Sequence, residues 1–163
     1  MNTRIQVEHP VTEMITGVDL VREQIRIAFG DPLSMTQADV QCNGHAIECR
    51  VTAENARDDF MPSPGRITRF IVPDSENIRV DTHCYEGYLI TPYYDSLMAK
   101  VIARGDNRDS ALETLRSALS ALSISGVETN VPFLQFLIDQ PQFIAGDMNI
   151  KWIEDVMPGF LET

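Results

Sequence analysis

The sequence predicts an α+β fold, an antiparallel sheet in the middle of the chain with helices flanking it. Three observations carry that reading. Ile47, Cys49 and Val51 alternate with Glu48, Arg50 and Thr52, the period-2 pattern of a strand with one apolar face. Leu112, Leu115, Ala118, Leu119 and Leu122 recur at helical spacing instead. Turn signals cut the chain between these two regions, Pro62-Ser63-Pro64-Gly65 and Gly105-Asp106 among them.

Taken in order, Asn2, Arg4, Gln6 and Glu8 alternate with Thr3, Ile5 and Val7, which predicts an opening strand. Pro10 suits the first turn of a helix just after it. Val18, Val21, Ile25 and Ala28 form the apolar stripe of a helix over 18–29, widened by Leu20 and Ile27 and expected to pack on the sheet. Gly30 supplies its end, and Asp31-Pro32 blocks continuation. A polar stretch, 34–43, links to a strand over 45–52. Further strands are expected over 66–72 and 78–84, joined by 73–77 as an open hairpin, and over 97–103. Asn107 is placed to cap the long helix, and Gly126 comes after it. A helix over 131–138 follows, capped by Thr129 or Asn130 and stopped before Pro141, then a short one over 152–156. There is no internal repeat and no low-complexity segment.

The 163 residues are 44% hydrophobic, enough for a substantial core. A formal net charge of −11 argues against nucleic-acid and anionic-membrane partners, yet leaves room for a small anion held by one or two arginines. No apolar run reaches the length of a bilayer span and no basic-then-apolar leader opens the sequence, so a cytoplasmic protein is expected. Cys42, Cys49 and Cys84 form no Cys-x-x-Cys pair and read as reduced, buried thiols. His9, His45 and His83 lie in no ligand-spaced motif, and the latter two read as structural strand residues.

The opening segment carries the most chemistry. Arg4 and Gln6 suit a small planar oxyanion, and Glu8 suits the removal of its proton. The same alternation also fits an antiparallel strand with one solvated face. Arg50, taken alone, fits a surface ion pair on a sheet. Ser96 has no Gly-x-Ser-x-Gly elbow around it and does not read as a nucleophile. Asn130 reads as a helix cap, and Asp58-Asp59 as a solvated loop.

Asn2 to Glu13 (NTRIQVEHPVTE), Glu48-Cys49-Arg50, Pro62-Ser63-Pro64-Gly65, Tyr93-Tyr94-Asp95-Ser96 and Thr129-Asn130 together resemble biotin carboxylase, and the resemblance covers essentially the whole chain. It is most similar to the free-standing biotin carboxylase subunit of bacterial acetyl-CoA carboxylase, a ligase of fatty acid biosynthesis. Propionyl-, methylcrotonyl- and pyruvate carboxylases share the module. The resemblance implies ATP-dependent carboxylation of biotin. Bicarbonate attacks the ATP γ-phosphate to give carboxyphosphate, and the carboxyl group then passes to biotin N1. It implies Glu8 as the general base on bicarbonate, held by Arg4, Gln6 and the Val7 backbone. Arg4 would also meet the transferring phosphoryl group. Asn2 would contribute one oxygen to a site for magnesium or manganese that otherwise depends on carboxylates. Arg50 would stabilise charge on the ureido oxygen of biotin once N1 loses its proton, and Asp95 would orient an arginine nearby.

The resemblance also marks what is missing. The nine glycines include no Gly-Gly pair and form no phosphate lid of the ATP-grasp kind. The family's adenine and phosphate lysines and its metal-binding Glu are expected upstream of Met1, which itself matches a Met inside the motif. The expected organisation is 1–40 as the tail of an ATP-grasp domain and 41–163 as the biotin carboxylase C-terminal domain. The expected function is that of a C-terminal fragment, inactive and without bound cofactor when isolated, whose parent uses ATP, the metal and biotin. Its partners would be a biotinylated carrier protein and a carboxyltransferase, because no biotin-accepting Met-Lys-Met motif is present, and a homodimer is a further expectation. The alternative is a non-catalytic interaction module that binds a carboxylase partner.

Overall fold

In the computed structural model, which describes residues 1–163, the alternation over 45–52 forms β1 (His45–Thr52). The other strands are β2 (Glu54–Asn55), β3 (Met61–Pro62), β4 (Gly65–Arg66), β5 (Arg69–Ile71), β6 (Ile78–Thr82), β7 (Leu89–Ile90), β8 (Leu97–Gly105) and β9 (Ser123–Ser125). The helices are α1 (His9–Thr16), α2 (Leu20–Ala28), α3 (Arg108–Ala121), α4 (Val131–Ile138), α5 (Pro141–Ala145) and α6 (Trp152–Leu161). The expected mixture of helices and antiparallel strands is what the chain adopts.

β8 is the centre of a three-stranded antiparallel sheet of order β1-β8-β6. Its register sets Arg50 opposite Lys100 and Lys100 opposite Asp81. One step along, Glu48 and Arg79 both stand opposite Ile102. Side chains alternate across a strand, so the two faces separate by chemistry. Cys49, Val51, Ala99, Val101 and Ala103 pack under α3, against Leu115, Ala118 and Leu119. The opposite face holds Glu48, Arg50, Lys100, Asp81 and Arg79, and α1 lies across its β1 and β8 strands. α1 buries Pro10 and Glu13.

Three two-stranded pairs, β2-β3, β4-β7 and β5-β9, extend the structure from this sheet. A second apolar cluster of Ala53, Ile67, Cys84, Ile90 and Met98 holds the β4-β7 end. A third, of Ala56, Phe133, Leu137, Trp152 and Phe160, joins α4 to α6. Local signals fix several boundaries. Asn107 caps α3 in a capping box, its Oδ1 accepting from Ser110 N–H at 3.0 Å. Asp19 caps α2 with its side chain alone, accepting from Arg22 N–H at 2.8 Å. Gly30 then turns the chain out of α2 at φ +94°.

Several expectations are corrected. Residues 2–8 form no strand, because no neighbouring strand offers them a backbone ladder. Segment 73–77 makes no hairpin between β5 and β6. β9 returns from α3 to pair with β5, and β6 pairs with β8 instead. The strand expected over 66–72 divides into β4 and β5 around the fully buried Ile67. α2 does not bury its stripe on the sheet: Val21, Ile25 and Ile27 are exposed, as is Phe29 just beyond the helix, at 85%. Cys42 is exposed, whereas Cys49 and Cys84 are buried free thiols. His45 lies in β1 as expected, but His83 lies just beyond β6. α5 forms beyond the expected stop at Pro141, and α6 runs on to Leu161, where Phe160 is buried in the third cluster.

Asn130 stands at the N-cap position of α4, yet its side chain does not cap that helix. Its Oδ1 accepts from Thr52 N–H and its Nδ2 donates to Arg50 C=O, each at 3.0 Å. The buried amide thus stitches the free edge of β1 on both sides of Val51. Replacing it strands two backbone groups. Asn130→Ala should cost about 1–3 kcal/mol with an unchanged denaturant slope, measured by urea unfolding.

Candidate functional site

Residues 1–8 reach the sheet through side chains rather than a ladder. Val7 C=O accepts from Lys100 Nζ at 3.1 Å, and Glu8 Oε2 accepts from Arg50 Nη2 at 2.7 Å. One turn into α1, Glu13 Oε2 accepts from Arg79 Nη1 at 2.6 Å. Each of the three sheet strands therefore contributes one cation to the same layer. Asp81 braces two of them, accepting from Arg79 Nε at 2.7 Å and lying 3.4 Å from Lys100 Nζ. Glu8 and Arg50 are about half exposed, at 55% and 50% of their side chains, so their pair faces solvent.

Val7 and Arg50 open into a cleft of about 630 Å³ also lined by Glu54, His83, Tyr88 and Asp95. That volume suits a small organic ligand. Glu54 accepts from the hydroxyls of Thr52 and Ser96 in its wall. Asp95 lines this cleft, but its Oδ1 accepts from Leu97 N–H at 2.7 Å and it forms no ion pair with an arginine. The carboxylates beside Arg50 are Glu8 and Glu48. Gln6 is half-buried next to Val7. Arg4 is exposed, its Nη1 donating to the neighbouring Ile5 C=O at 3.0 Å, and Asn2 is exposed. No group of three His, Cys, Asp or Glu side chains is placed to hold a metal ion, and the Asn2 amide alone does not make a site for one. A second cleft of about 620 Å³, between the 73–78 turn and α3, carries Asp74 and Glu113 but no cation.

Burial pushes the Glu13 carboxyl up, but bonds from Arg79 and Leu20 N–H, with His9 in close contact, outweigh it and hold it below the usual carboxylate range. Asp81 is also lowered: burial works against it, and Arg79 and Lys100 prevail. Arg79 is held further into its charged form by Asp81 and Glu13. Glu48 moves the opposite way. Burial raises it, Lys100 and Arg50 oppose, and the charges of Glu8 and Asp81 add to the rise. The buried Cys49 thiol is pushed up to about 12, which makes it inert as a nucleophile.

Lys100, Arg79 and Asp81 escape a reading of the sequence by itself, and Glu48 and Asn130 are read there without the contacts they make. For Lys100 a signal exists. It is the one charge inside the apolar run Leu97-Met98-Ala99-Lys100-Val101-Ile102-Ala103, and a buried strand tolerates a cation only when it is paired.

Residues 48–155 match the family model of the biotin carboxylase C-terminal domain, and residues 1–36 match that of the carbamoyl-phosphate synthase L chain, ATP binding domain. An α+β domain with a charged sheet face under an N-terminal helix is thus placed in a class of carboxylase modules. The chain belongs to the biotin carboxylase C-terminal domain family. Biotin carboxylase 1 of Bacillus subtilis is 52% identical over 159 residues, 96% of this chain and 35% of that protein. Biotin carboxylase of Haemophilus influenzae is 49% identical over 154 residues, 94% of this chain and 34% of that protein. The solved biotin carboxylase domain of a thermophilic 2-oxoglutarate carboxylase bound to bicarbonate superposes with a TM-score of 0.95 at 47% identity, covering 99% of this chain and 36% of that one. The chain spans about a third of the length of these relatives. No helix is long and apolar enough to cross a membrane.

The charge layer fixes a pH dependence. Glu13 and Asp81, lowered in the folded state, stabilise it above the usual carboxylate range, and that contribution is lost as pH falls through their folded values. Glu48, raised, has the reverse sign, and its contribution is lost as pH rises through its folded value. Glu13→Gln should cost about 2 kcal/mol at neutral pH, and the difference from the parent chain should vanish in acid. Thermal unfolding of both proteins across pH reads this out.

Proposed function

We propose that this chain is the bicarbonate- and biotin-facing C-terminal part of an ATP-dependent biotin carboxylase. One observation carries the reading: Glu8 and Arg50, 42 residues apart, meet at 2.7 Å beside an open cleft. Glu8 takes the proton of the bicarbonate hydroxyl, while Arg4, Gln6 and the Val7 N–H hold the anion. Arg4 also meets the transferring phosphoryl group, where a planar cation suits spreading charge. Arg50 donates to the ureido oxygen of biotin, where negative charge collects as N1 loses its proton. Asp95 lies on the same cleft wall, and its proposed part is to orient an arginine nearby. Asn2 adds one oxygen to a magnesium or manganese site whose carboxylates come from the rest of the parent enzyme. The metal, when bound there with ATP, neutralises phosphate charge.

Residues 1–40 are then the tail of an ATP-grasp domain and 41–163 the C-terminal domain. The match of 1–36 to an ATP-binding model supports that boundary. So does the exposed apolar stripe of α2, which the remainder of such a domain would cover. The isolated chain has no turnover and binds none of the cofactors, because phosphoryl transfer depends on positioning by groups it does not carry. The parent works in the cytoplasm with a biotinylated carrier protein and a carboxyltransferase. The likeness to the biotin carboxylase subunit of bacterial acetyl-CoA carboxylase supports that complex as one parent, beside pyruvate and 2-oxoglutarate carboxylases, whose subunits are similar to this chain as well; the acceptor is chosen by the carboxyltransferase and not by this chain. A homodimer is in keeping with the dimeric biotin carboxylase domain of the Hydrogenobacter thermophilus 2-oxoglutarate carboxylase, solved with MgADP and bicarbonate. The α2 stripe also favours a second reading, a non-catalytic module that docks on a carboxylase partner.

The two readings separate in a full-length carboxylase built by placing residues 1–163 over the matching segment of the Bacillus subtilis relative. Glu8→Ala or Arg50→Ala should slow biotin carboxylation about a hundredfold or more. Near-normal rates would remove those roles and leave the docking module. With the purified 163-residue chain alone, bicarbonate-dependent ATP hydrolysis in the presence of free biotin should not rise above the blank. Measurable turnover would overturn its inactivity.

A further inference from the structure

Glu48 is the one carboxylate of the charge layer without a hydrogen bond. Glu8, Glu13 and Asp81 each accept from an arginine. The Glu48 side chain is only 5% exposed, and neither of its oxygens has a partner. An ionised carboxylate left this way is costly to bury, and burial accordingly raises its proton affinity. Two cations face it, Lys100 and Arg50, and the one in ion-pair contact is Arg50, whose Nε lies 3.9 Å from Glu48 Oε1, beyond hydrogen-bond range. Glu48 and Arg50 stand two residues apart on one face of β1, so the guanidinium lies between two carboxylates. Its Nη2 end is bonded to Glu8, and its Nε edge faces an acceptor that is free.

The arrangement matters if Glu8 is the base on bicarbonate, and the inference rests on that reading. A proton passing from the bicarbonate hydroxyl to the Glu8 carboxylate cancels the charge that holds Nη2. Arg50 then needs another anion to stay on the cleft wall. We propose that Glu48 is the second seat of Arg50: the guanidinium passes from Glu8 to Glu48 as Glu8 takes the bicarbonate proton, and stays aimed into the cleft for the ureido oxygen of biotin. A shift of about 1 Å brings Nε into hydrogen-bond range of Glu48. No covalent bond changes at Arg50. Glu48 acts through Arg50 and is a positioning residue.

Glu8→Gln imitates the protonated base in the 163-residue chain. Its crystal structure should show Arg50 Nε within about 3 Å of Glu48, and the Arg50 Nε–Hε NMR signal should remain ordered. In Glu8→Gln/Glu48→Gln that signal should become mobile. An Nε–Glu48 separation that stays near its present value in Glu8→Gln overturns the proposal, even if the double variant fails to fold. In the full-length carboxylase, Glu48→Gln should lower kcat for biotin about tenfold while KM for bicarbonate stays within about twofold. If Arg50→Ala is severe there and Glu48→Gln is near normal, the hand-over alone fails. If Arg50→Ala is itself near normal, the carboxylase reading fails first.

Discussion

Three cations on three adjacent strands hold the first sixteen residues to the rest of the molecule. Arg50 on β1, Lys100 on β8 and Arg79 on β6 engage Glu8, the Val7 carbonyl and Glu13. The lead-in has no backbone ladder, so these contacts decide where Val7 and Glu8 stand relative to the sheet. Exposed ion pairs contribute little singly. The layer gains strength where α1 buries it. Glu13 is nearly inaccessible and bonds both Arg79 and the Leu20 amide, and Pro10 beside it is fully buried.

The layer grades from structure to chemistry along its length. At the Arg79 end Glu13, Arg79 and Asp81 are partly to fully buried and paired with one another, and their proton affinities shift in the direction that stabilises the fold. At the Arg50 end they open to solvent beside the cleft, and Glu48 is left without a partner. A buried, unsatisfied carboxylate works against stability, and such departures concentrate where a site needs a group held ready. The strand beneath is correspondingly well secured. β1 is laddered to β8 on one edge and stitched by Asn130 on the other, so Arg50 projects from a fixed backbone.

Local signals made β1, α3 and α4 legible. β1 alternates without interruption, α3 has both a capping residue and a continuous stripe, and α4 is bounded by Thr129-Asn130 before it and Pro141 after it. The opening segment alternates just as clearly and forms no strand, because alternation describes a face and a strand also needs a neighbour. The pairing of β5 with β9 was invisible for a related reason: the two segments are separated by the whole of α3, and short strands take whichever edge the tertiary fold brings near. α2 carries a stripe that predicts burial without saying against what, and here its apolar residues face outward.

The site divides along the same line. Arg4, Gln6, Val7, Glu8 and Arg50 could be named from residue types and from the likeness to a carboxylase family, since the chemistry of a guanidinium or a carboxylate is written in its identity. The α+β class and the helix and strand periods follow from the residues alone, whereas the roles of Val7 and Arg50 are implied only by the family likeness. Which groups meet is a matter of packing. The folded chain set Arg50 between Glu8 and Glu48, placed Lys100 under the Val7 carbonyl, turned Asp95 to its own loop and gave Asn130 to β1 instead of α4. Register is the cause. A one-residue slip of β1 against β8 would send Arg50 and Glu48 to the core and Cys49 and Val51 to the charge layer, and only the packing of α3 on one face and α1 on the other forbids it.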